Sequence, residues 1–261
     1  MMSMTEMNDY MVETHNLVKK FNGIVAVNNI NLRVPKGSIY AFLGPNGAGK
    51  TTTIRMLLGI MQPTSGTILI DGKDIREDPR DIRGKIGFLP QVSAAYADLT
   101  PMQNIKFVVE LNGIPFDSVQ SKLDAYFTKL EFSRELLSKP FSKLSGGEQR
   151  AISFIMAAIT DREFLILDEP TSGLDIARAK YIRSIIKEMV EEGKTVLLSS
   201  HIVSDLEELA THCGIIKNGF LVFQGRKEEI IEEFSPETKI FEDAIVEAFK
   251  TDVFAKQGVV R

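Results

Sequence analysis

The chain of 261 residues has one cysteine and lacks any apolar run approaching the roughly 18 to 20 residues of a membrane-spanning helix. Because Cys213 has no partner within the chain, an internal disulfide is excluded, and its place beside an apolar run predicts a buried structural thiol. The longest apolar stretch, residues 151–159, predicts a buried helix. The Met-rich start, residues 1–11, has no basic region followed by an apolar stretch, so we interpret it as a frayed terminus and not as a secretory signal.

The chain also lacks an excess of positive charge, since its net charge is −4. A surface that tracks nucleic-acid phosphates normally carries a basic patch, so no nucleic-acid partner is expected. Hydrophobic residues make up 44% of the chain, which is typical of a globular protein with a sizeable core. The length predicts one large domain with subdomains or two smaller domains.

A glycine-rich segment lies between two apolar runs, which predict a strand at residues 38–43 and a helix at residues 51–60. It reads GPNGAGKTT at residues 44–52 and fits the phosphate-binding pattern G-x-x-x-x-G-K-[ST] in the strand-loop-helix context that the pattern requires. Its glycines let successive N–H groups face one anion, and the following helix adds the positive end of its dipole. Lys50 can reach the β- and γ-phosphates and Thr51 can ligate Mg²⁺, so the segment predicts binding of a nucleoside triphosphate.

Apolar periodicity and turn residues predict alternating strands and helices along the rest of the chain. Strands are predicted within residues 11–34, which turn at Asn22-Gly23, and at 66–75, 86–89, 164–167 and 196–198. A further hairpin is predicted at 215–223, with its turn at Asn218-Gly219. Helices are predicted at residues 102–111, 118–130, 149–159 and 176–190. Buried strands separated by helices imply an α/β fold with a mainly parallel sheet and helices on both faces.

A second motif, FLILDEP at residues 164–170, runs four apolar residues directly into Asp168 and Glu169. A carboxylate at the end of a buried strand is costly unless it meets a cation, and Mg²⁺ beside a phosphate loop supplies one. Asp168 is therefore the candidate on the metal side, and Glu169 can polarise a water for attack on the γ-phosphate. The alternative is an acidic junction between strand and loop without a chemical role.

A third motif, LSGGEQR, occupies residues 144–150. Ser145, Gly146 and Gly147 can form an anion-binding nest at the start of the following helix. The same residues also predict a helix cap, with Ser145 capping and Glu148 three residues later. The two interpretations are compatible.

These motifs resemble, in identity and in order, those of the ATP-binding cassette family, and the chain is similar to the nucleotide-binding subunit of an ABC transporter from about residue 12 to residue 225. Residues 44–52 resemble its Walker A loop, residues 144–150 its signature, and residues 164–170 its Walker B strand with the catalytic glutamate. Gln91 is similar to the Q-loop glutamine, SGLD at residues 172–175 to the D-loop, and His201 to the switch histidine.

The resemblance implies a fold and a role for each candidate residue. The fold is α/β, with a mainly parallel P-loop NTPase core sheet, an antiparallel β subdomain and a helical insertion. The implied catalytic residues are Lys50, Gln91, Glu169 and His201, and the implied metal ligands are Thr51, Gln91 and Asp168. The implied nucleotide contacts are Phe21, which replaces the commoner tyrosine on adenine, together with Gly44, Pro45, Asn46, Gly47, Ala48, Gly49, Lys50, Thr51 and Thr52. The implied contacts in trans are Ser145, Gly146, Gly147 and Asp175.

The resemblance further implies a head-to-tail dimer, made with a second copy or a homologous ATPase subunit, that binds two ATP molecules with Mg²⁺. The partner for transport is a separate transmembrane permease subunit, and the expected location is cytoplasmic, peripheral on the inner face of the cell membrane. The ATPase domain is expected at residues 12–225, with a helical subdomain at about 92–158 and a C-terminal helical extension at 226–261 broken at Pro236.

The tail segment KIFEDAIVEAF, residues 239–249, resembles that of drug-exporter subunits and favours export over import. One alternative is a soluble ABC ATPase that is not coupled to transport. DNA-repair members carry a long coiled-coil insertion, which is missing here, and translation-type members join two cassettes, whereas each motif occurs once in this chain. A non-hydrolysing regulator conflicts with the presence of Glu169 and His201.

Overall fold

The computed structural model of the chain describes residues 9–251. Residues 1–8 of the predicted frayed terminus and residues 252–261 of the predicted extension lie outside the described residues. The prediction of fraying was wrong for Tyr10 and Met11, because both belong to the first strand and Met11 is buried. No helix within residues 9–251 is long and apolar enough to cross a membrane.

The elements follow one another in the alternating order that the sequence predicts. The strands are β1 (Tyr10–Phe21), β2 (Ile24–Ile30), β3 (Arg33–Pro35), β4 (Ile39–Leu43), β5 (Ser65–Ile70), β6 (Lys73–Asp74), β7 (Ile86–Leu89), β8 (Phe164–Asp168), β9 (Thr195–Ser199), β10 (His212–Lys217) and β11 (Phe220–Arg226). The helices are α1 (Lys50–Leu57), α2 (Pro79–Gly84), α3 (Pro101–Leu111), α4 (Phe116–Lys129), α5 (Arg134–Leu137), α6 (Gly146–Ala158), α7 (Ile176–Glu191), α8 (Val203–Leu209), α9 (Lys227–Phe234) and α10 (Phe241–Lys250).

Within the described residues, the first of two compact units comprises residues 9–83 and 199–251. It contains an antiparallel sheet in the order β2-β1-β5-β6, with β3 also paired to β1. The β1/β2 hairpin turns at Asn22-Gly23, since Phe21 pairs with Ile24. In the same unit β10 lies parallel to β4, and β11 returns antiparallel to β10. Cys213 in β10 is buried, which confirms the predicted structural thiol.

The second unit comprises Gly84–Leu198. Its strands follow the order β9-β8-β7, with β7 and β8 parallel from the pair Ile86 and Phe164 onwards. The apolar residues of β8 and β9 are buried, as a strand covered on both faces requires. Helices α3 to α7 complete this unit, and most of α6 is buried, as predicted for residues 151–159.

The α/β fold and the predicted elements are confirmed, with shifted ends where local chemistry decides them. Helix α1 ends at Leu57, before the predicted residue 60, because Gly59 has a left-handed backbone with φ 64°. Helix α6 starts at Gly146 because Ser145 and Glu148 form a capping box. Strand β10 begins at His212, earlier than predicted, because it already pairs there with Tyr40 of β4.

Candidate active site

The phosphate loop joins β4 to α1 within the first unit. It leaves β4 after Leu43, makes a turn in which the N–H of Ala48 donates to the carbonyl of Pro45 at 3.1 Å, and enters α1 at Lys50. Pro45, Asn46 and Gly47 are exposed, so the loop can be reached from solvent. No side chain of the described residues caps α1, and the first turn therefore presents backbone donors at the positive end of the helix dipole.

Gly49 is the residue that the loop geometry needs most. Its φ is 111°, and a Cβ at this position would lie 2.6 Å from the carbonyl oxygen of Ala26 in β2. The surroundings are fixed, since the N–H of Gly219 donates to Ala48 at 2.9 Å and Asn28 donates to Gly219 at 2.8 Å. The loop is thus held against β2 at a distance that only glycine permits.

Lys50 and Thr51, the cationic and hydroxyl residues of the motif, lie in the first turn of α1. The ammonium of Lys50 bends back over the loop and donates to the carbonyl of Gly44 and, at 3.2 Å, to that of Pro45. Thr51 is exposed in the first turn of α1, and Thr52 is half-buried. Lys50 is therefore already placed over the loop, where phosphate oxygens can replace carbonyl oxygens as its acceptors.

Phe21 lies at the end of β1, directly before the Asn22-Gly23 turn, and is 41% exposed. Ile24 and Val25, across the turn, are exposed as well. The ammonium of Lys19 lies 5.1 Å from the centre of the Phe21 ring. The hairpin therefore carries a partly exposed aromatic ring with a cation over it.

Asp168 and Glu169 lie at the carboxyl end of β8 in the second unit, and both are half-buried. Glu169 has φ 58°, a left-handed backbone that non-glycine residues rarely adopt. Its side chain therefore leaves the chain in a different direction from that of an extended strand. Such local strain is concentrated at functional sites, where the surrounding structure maintains it.

Sequence reasoning missed Arg150, the last residue of LSGGEQR. Its guanidinium is buried and donates to the main-chain carbonyls of Glu169, Asp168, Pro90 and Gln91. Burial lowers the pKa of Arg150 to about 10, while the nearby carboxylates of Asp168 and Glu169 act in the opposite direction. The signal in the sequence was a lone arginine that ends the LSGGEQR motif directly before the apolar residues 151–159.

The start of α6 confirms the helix cap that LSGGEQR predicts. Ser145 Oγ accepts from the N–H of Glu148 at 3.3 Å, and the Glu148 carboxylate accepts from the N–H of Ser145 at 2.7 Å. Ser145 and Gly146 are exposed, whereas a Cβ on Gly147 would lie 2.7 Å from the carbonyl oxygen of Gly173. Residues 172–175 thus pack directly on the signature backbone.

Asp175 is exposed and caps α7, because its carboxylate accepts from the N–H of Arg178 at 2.8 Å. Ile176, the next residue, is 88% exposed.

Gln91 begins a loop that is held in place by two buried contacts. The hydroxyl of Ser93 lies 2.7 Å from that of Ser153 in α6. The fully buried amide of Asn104 accepts from the N–H of Tyr96 at 2.7 Å and donates to the carbonyl of Tyr96 at 3.0 Å. Gln91 itself is exposed at the start of this loop.

His201 follows β9 and is exposed, next to the buried Ser200. The predicted residues therefore fall into two groups, one in each unit. The first unit carries the phosphate loop, Phe21 and His201, and the second carries Gln91, Asp168, Glu169, Ser145, Gly146, Gly147 and Asp175.

Comparison with known proteins identifies sequence relatives over most of the chain. The family model described as "ABC transporter" matches residues 27–172. The bacitracin transport ATP-binding protein BcrA of Enterococcus faecalis is 36% identical over 216 residues, which are 82% of this chain and 68% of that protein. The Nod factor export ATP-binding protein I of Cupriavidus metallidurans is 34% identical over 224 residues, or 85% and 73% of the two chains.

Among solved structures, the dimeric post-hydrolysis state of an ATP-binding cassette bound to ADP and Pi matches with a TM-score of 0.75. The match covers 83% of this chain and 98% of that one at 24% sequence identity. At this identity the similarity shows the fold.

Proposed function

We propose that this chain, which belongs to the ABC transporter family as one of its ATPase subunits, hydrolyses ATP between two copies of itself. Hydrolysis would drive export through a separate membrane subunit. The observation that carries the shared site is the exposed start of α6. Ser145 and Gly146 face solvent there, beside the exposed Asp175 and Ile176. A helix N-terminus that is open in this way can receive the γ-phosphate of an ATP bound to the other copy.

In this proposal the phosphate loop of one copy binds the triphosphate and the signature loop of the other closes over it. Lys50 offsets charge on the β- and γ-phosphates, and Phe21 stacks on the base. Glu169 accepts a proton from the attacking water, Gln91 orients that water, and His201 contacts the γ-phosphate. The resemblance to the family supports these roles, together with the exposure of Gln91 and His201.

The donor set fits Mg²⁺. The candidate ligands Thr51, Gln91 and Asp168 can all supply oxygen donors, which Mg²⁺ prefers. This suits an ion that proteins hold through one or two side chains and the phosphates of a nucleotide. When bound, Mg²⁺ would supply positive charge that offsets the charge of the β- and γ-phosphates.

Export is the direction we propose, because relatives include a bacitracin transport subunit and a Nod factor export subunit. The chain would work on the inner face of the cell membrane, bound to its permease. We place the docking site at residues 91–106, where Tyr96 is 55% exposed and packs edge-on against Phe107 at 5.2 Å. A groove of about 320 Å³ beside them is lined by apolar residues that include Phe88, Leu111 and Met156.

The variant Glu169→Gln tests the chemistry. We expect unchanged ATP binding and a loss of about 10²- to 10⁴-fold in the hydrolysis rate, because the general base is removed. Closed dimers should accumulate with ATP, which size-exclusion chromatography detects. Glu163→Gln is the matched control, since Glu163 precedes β8 as Glu169 follows it and is largely exposed. Hydrolysis by Glu169→Gln at the parent rate would exclude Glu169 as the base.

Mixing two inactive variants tests the shared site. Lys50→Ala removes the charge that binds the triphosphate, and Ser145→Arg blocks the signature loop with a bulky side chain. Each should be inactive alone. Random pairing of equal amounts makes about half of the dimers mixed, and each mixed dimer has one intact composite site of two. About a quarter of the parent rate should therefore return.

Ser142→Arg is the control for added bulk, because Ser142 is exposed three residues before the cap. No recovery on mixing would refute the shared site. A monomer that hydrolyses ATP at the full rate, with first-order dependence on protein concentration, would refute it as well. ATP hydrolysis that no membrane partner stimulates or needs would instead favour the soluble ATPase.

A further inference from the structure

The guanidinium of Arg150 contacts the two peptide groups that flank Glu169. Nε donates to the carbonyl of Glu169 at 2.9 Å, and Nη2 donates to the carbonyl of Asp168. These carbonyls belong to the peptide groups directly after and before the Glu169 Cα atom. Because rotation about φ and ψ of Glu169 moves one of these peptide groups relative to the other, the two bonds together hold its backbone at φ 58°.

The same guanidinium contacts the two peptide groups that flank Gln91. Nη1 donates to the carbonyl of Pro90 at 2.6 Å and to that of Gln91 at 3.2 Å. One side chain therefore fixes the main chain on both sides of two residues that the proposed function assigns to hydrolysis.

The surroundings of Arg150 make this arrangement demanding. Its side chain is 7% exposed, and the four acceptors are neutral carbonyl oxygens spread over two segments of the chain. Ser153, one turn further along α6, accepts a hydrogen bond from Ser93, so the same helix face anchors the loop at a second point. Lysine could not replace the arginine here, because a single ammonium lacks a planar fork of donors that reaches both segments.

We propose that Arg150 is a positioning residue for ATP hydrolysis, which sets the backbone of Glu169 and of Gln91 relative to each other. The inference rests on the proposed roles of these two residues. Arg150 makes its bonds to main-chain atoms and needs no contact with the nucleotide. It acts on the rate through the placement of the base and of the water that Gln91 orients.

The test is Arg150→Lys, measured by steady-state ATPase kinetics and ATP binding. We expect kcat to fall about 10- to 100-fold, because small displacements of catalytic groups reduce rates by such factors, with KM and Kd for ATP unchanged. Arg162→Lys is the matched control, since Arg162 is partly exposed in the same unit and donates to a single side chain, that of Asn112. If Arg150→Lys does not fold, as judged by circular dichroism, Arg150→Gln gives the same test without a buried amine.

A double variant separates positioning from a structural role. If Arg150 acts in part through Glu169, then Arg150→Lys should lower the rate of the parent by a larger factor than it lowers the residual rate of Glu169→Gln. An equal fold-loss in both backgrounds, or an unchanged kcat in the parent, would overturn the proposal. A Glu169→Gln variant at the parent rate would instead overturn the proposed function, so the two failures are distinguishable.

Discussion

Replacing Gly49 by alanine should damage the phosphate loop in two separable ways. The first is conformational, because φ 111° is unfavourable for an L-residue by about 1–2 kcal/mol. The second is steric, because the new Cβ would lie 2.6 Å from the carbonyl oxygen of Ala26. The hydrogen bonds of Gly219 to Ala48 and Asn28 join the loop to β2, so neither side can move away freely. Crowding of this kind costs about 1–3 kcal/mol.

Gly47→Ala supplies the control for the conformational part. Gly47 has φ 78°, and no atom lies within 4 Å of the place that an added Cβ would take, so only the backbone penalty applies. We expect the free energy of unfolding of Gly49→Ala to be about 1–3 kcal/mol lower than that of Gly47→Ala. Its ATP affinity should also be lower, because the crowding is relieved by moving the loop amides away from their phosphate-binding positions.

Urea unfolding followed by far-UV circular dichroism measures the stability difference, since the chain has no tryptophan for fluorescence. Calorimetric titration with ATP measures the affinity of the folded protein. Stabilities of the two variants within about 0.5 kcal/mol of each other would show that the contact with Ala26 is not felt, and would refute the steric argument.

Three further predictions concern single side chains. Tyr96→Asp should lower partner binding and transport while leaving the ATPase rate of the isolated subunit nearly unchanged, and equal loss of both activities would place Tyr96 in the folding core instead. Tyr40→Phe should raise the free energy of unfolding by about 1 kcal/mol, because the buried Tyr40 hydroxyl has no hydrogen-bond partner among the described residues; a loss of stability in urea would contradict this. Burial, and next the positive charge of Arg226, lower the pKa of His212 below its usual 6.5. Because the folded state therefore binds this proton less tightly than the unfolded state does, the free energy of unfolding should fall as the pH drops below about 6.5. His212→Gln should flatten that fall in urea titrations at several pH values, and an unchanged fall would contradict this.

The sequence was sufficient wherever local chemistry decides the structure. The turns at Asn22-Gly23 and Asn218-Gly219 lie where the dipeptides predict them, and β7 matches the predicted residues 86–89 at both ends. Short helices such as α2 and α8 were not predicted. Each is stabilised by tertiary contacts of a few buried residues, such as Ile82 in α2 and Leu206 in α8. A helix of seven residues or fewer is too short to show a clear apolar periodicity in the sequence.

The candidate site could be predicted residue by residue but not as an arrangement. Motif patterns identify Lys50 and Glu169, yet the left-handed backbone of Glu169 depends on bonds from a residue 19 positions earlier. Arg150 also contacts Pro90, 60 positions away, and no local pattern encodes a distance of that kind. The roles of the site residues and the domain bounds at residues 12–225 and 226–261 stay predictions.

The single cysteine has a practical consequence for following the reaction. Cys213 is fully buried, and burial raises its thiol pKa to about 12, so almost no reactive thiolate exists near neutral pH. A cysteine introduced at an exposed site such as Ser142 would therefore be the only one that takes up a maleimide dye. Each copy of such a variant can thus carry one fluorophore without first removing Cys213. Energy transfer between two labelled copies would report in real time when they come together.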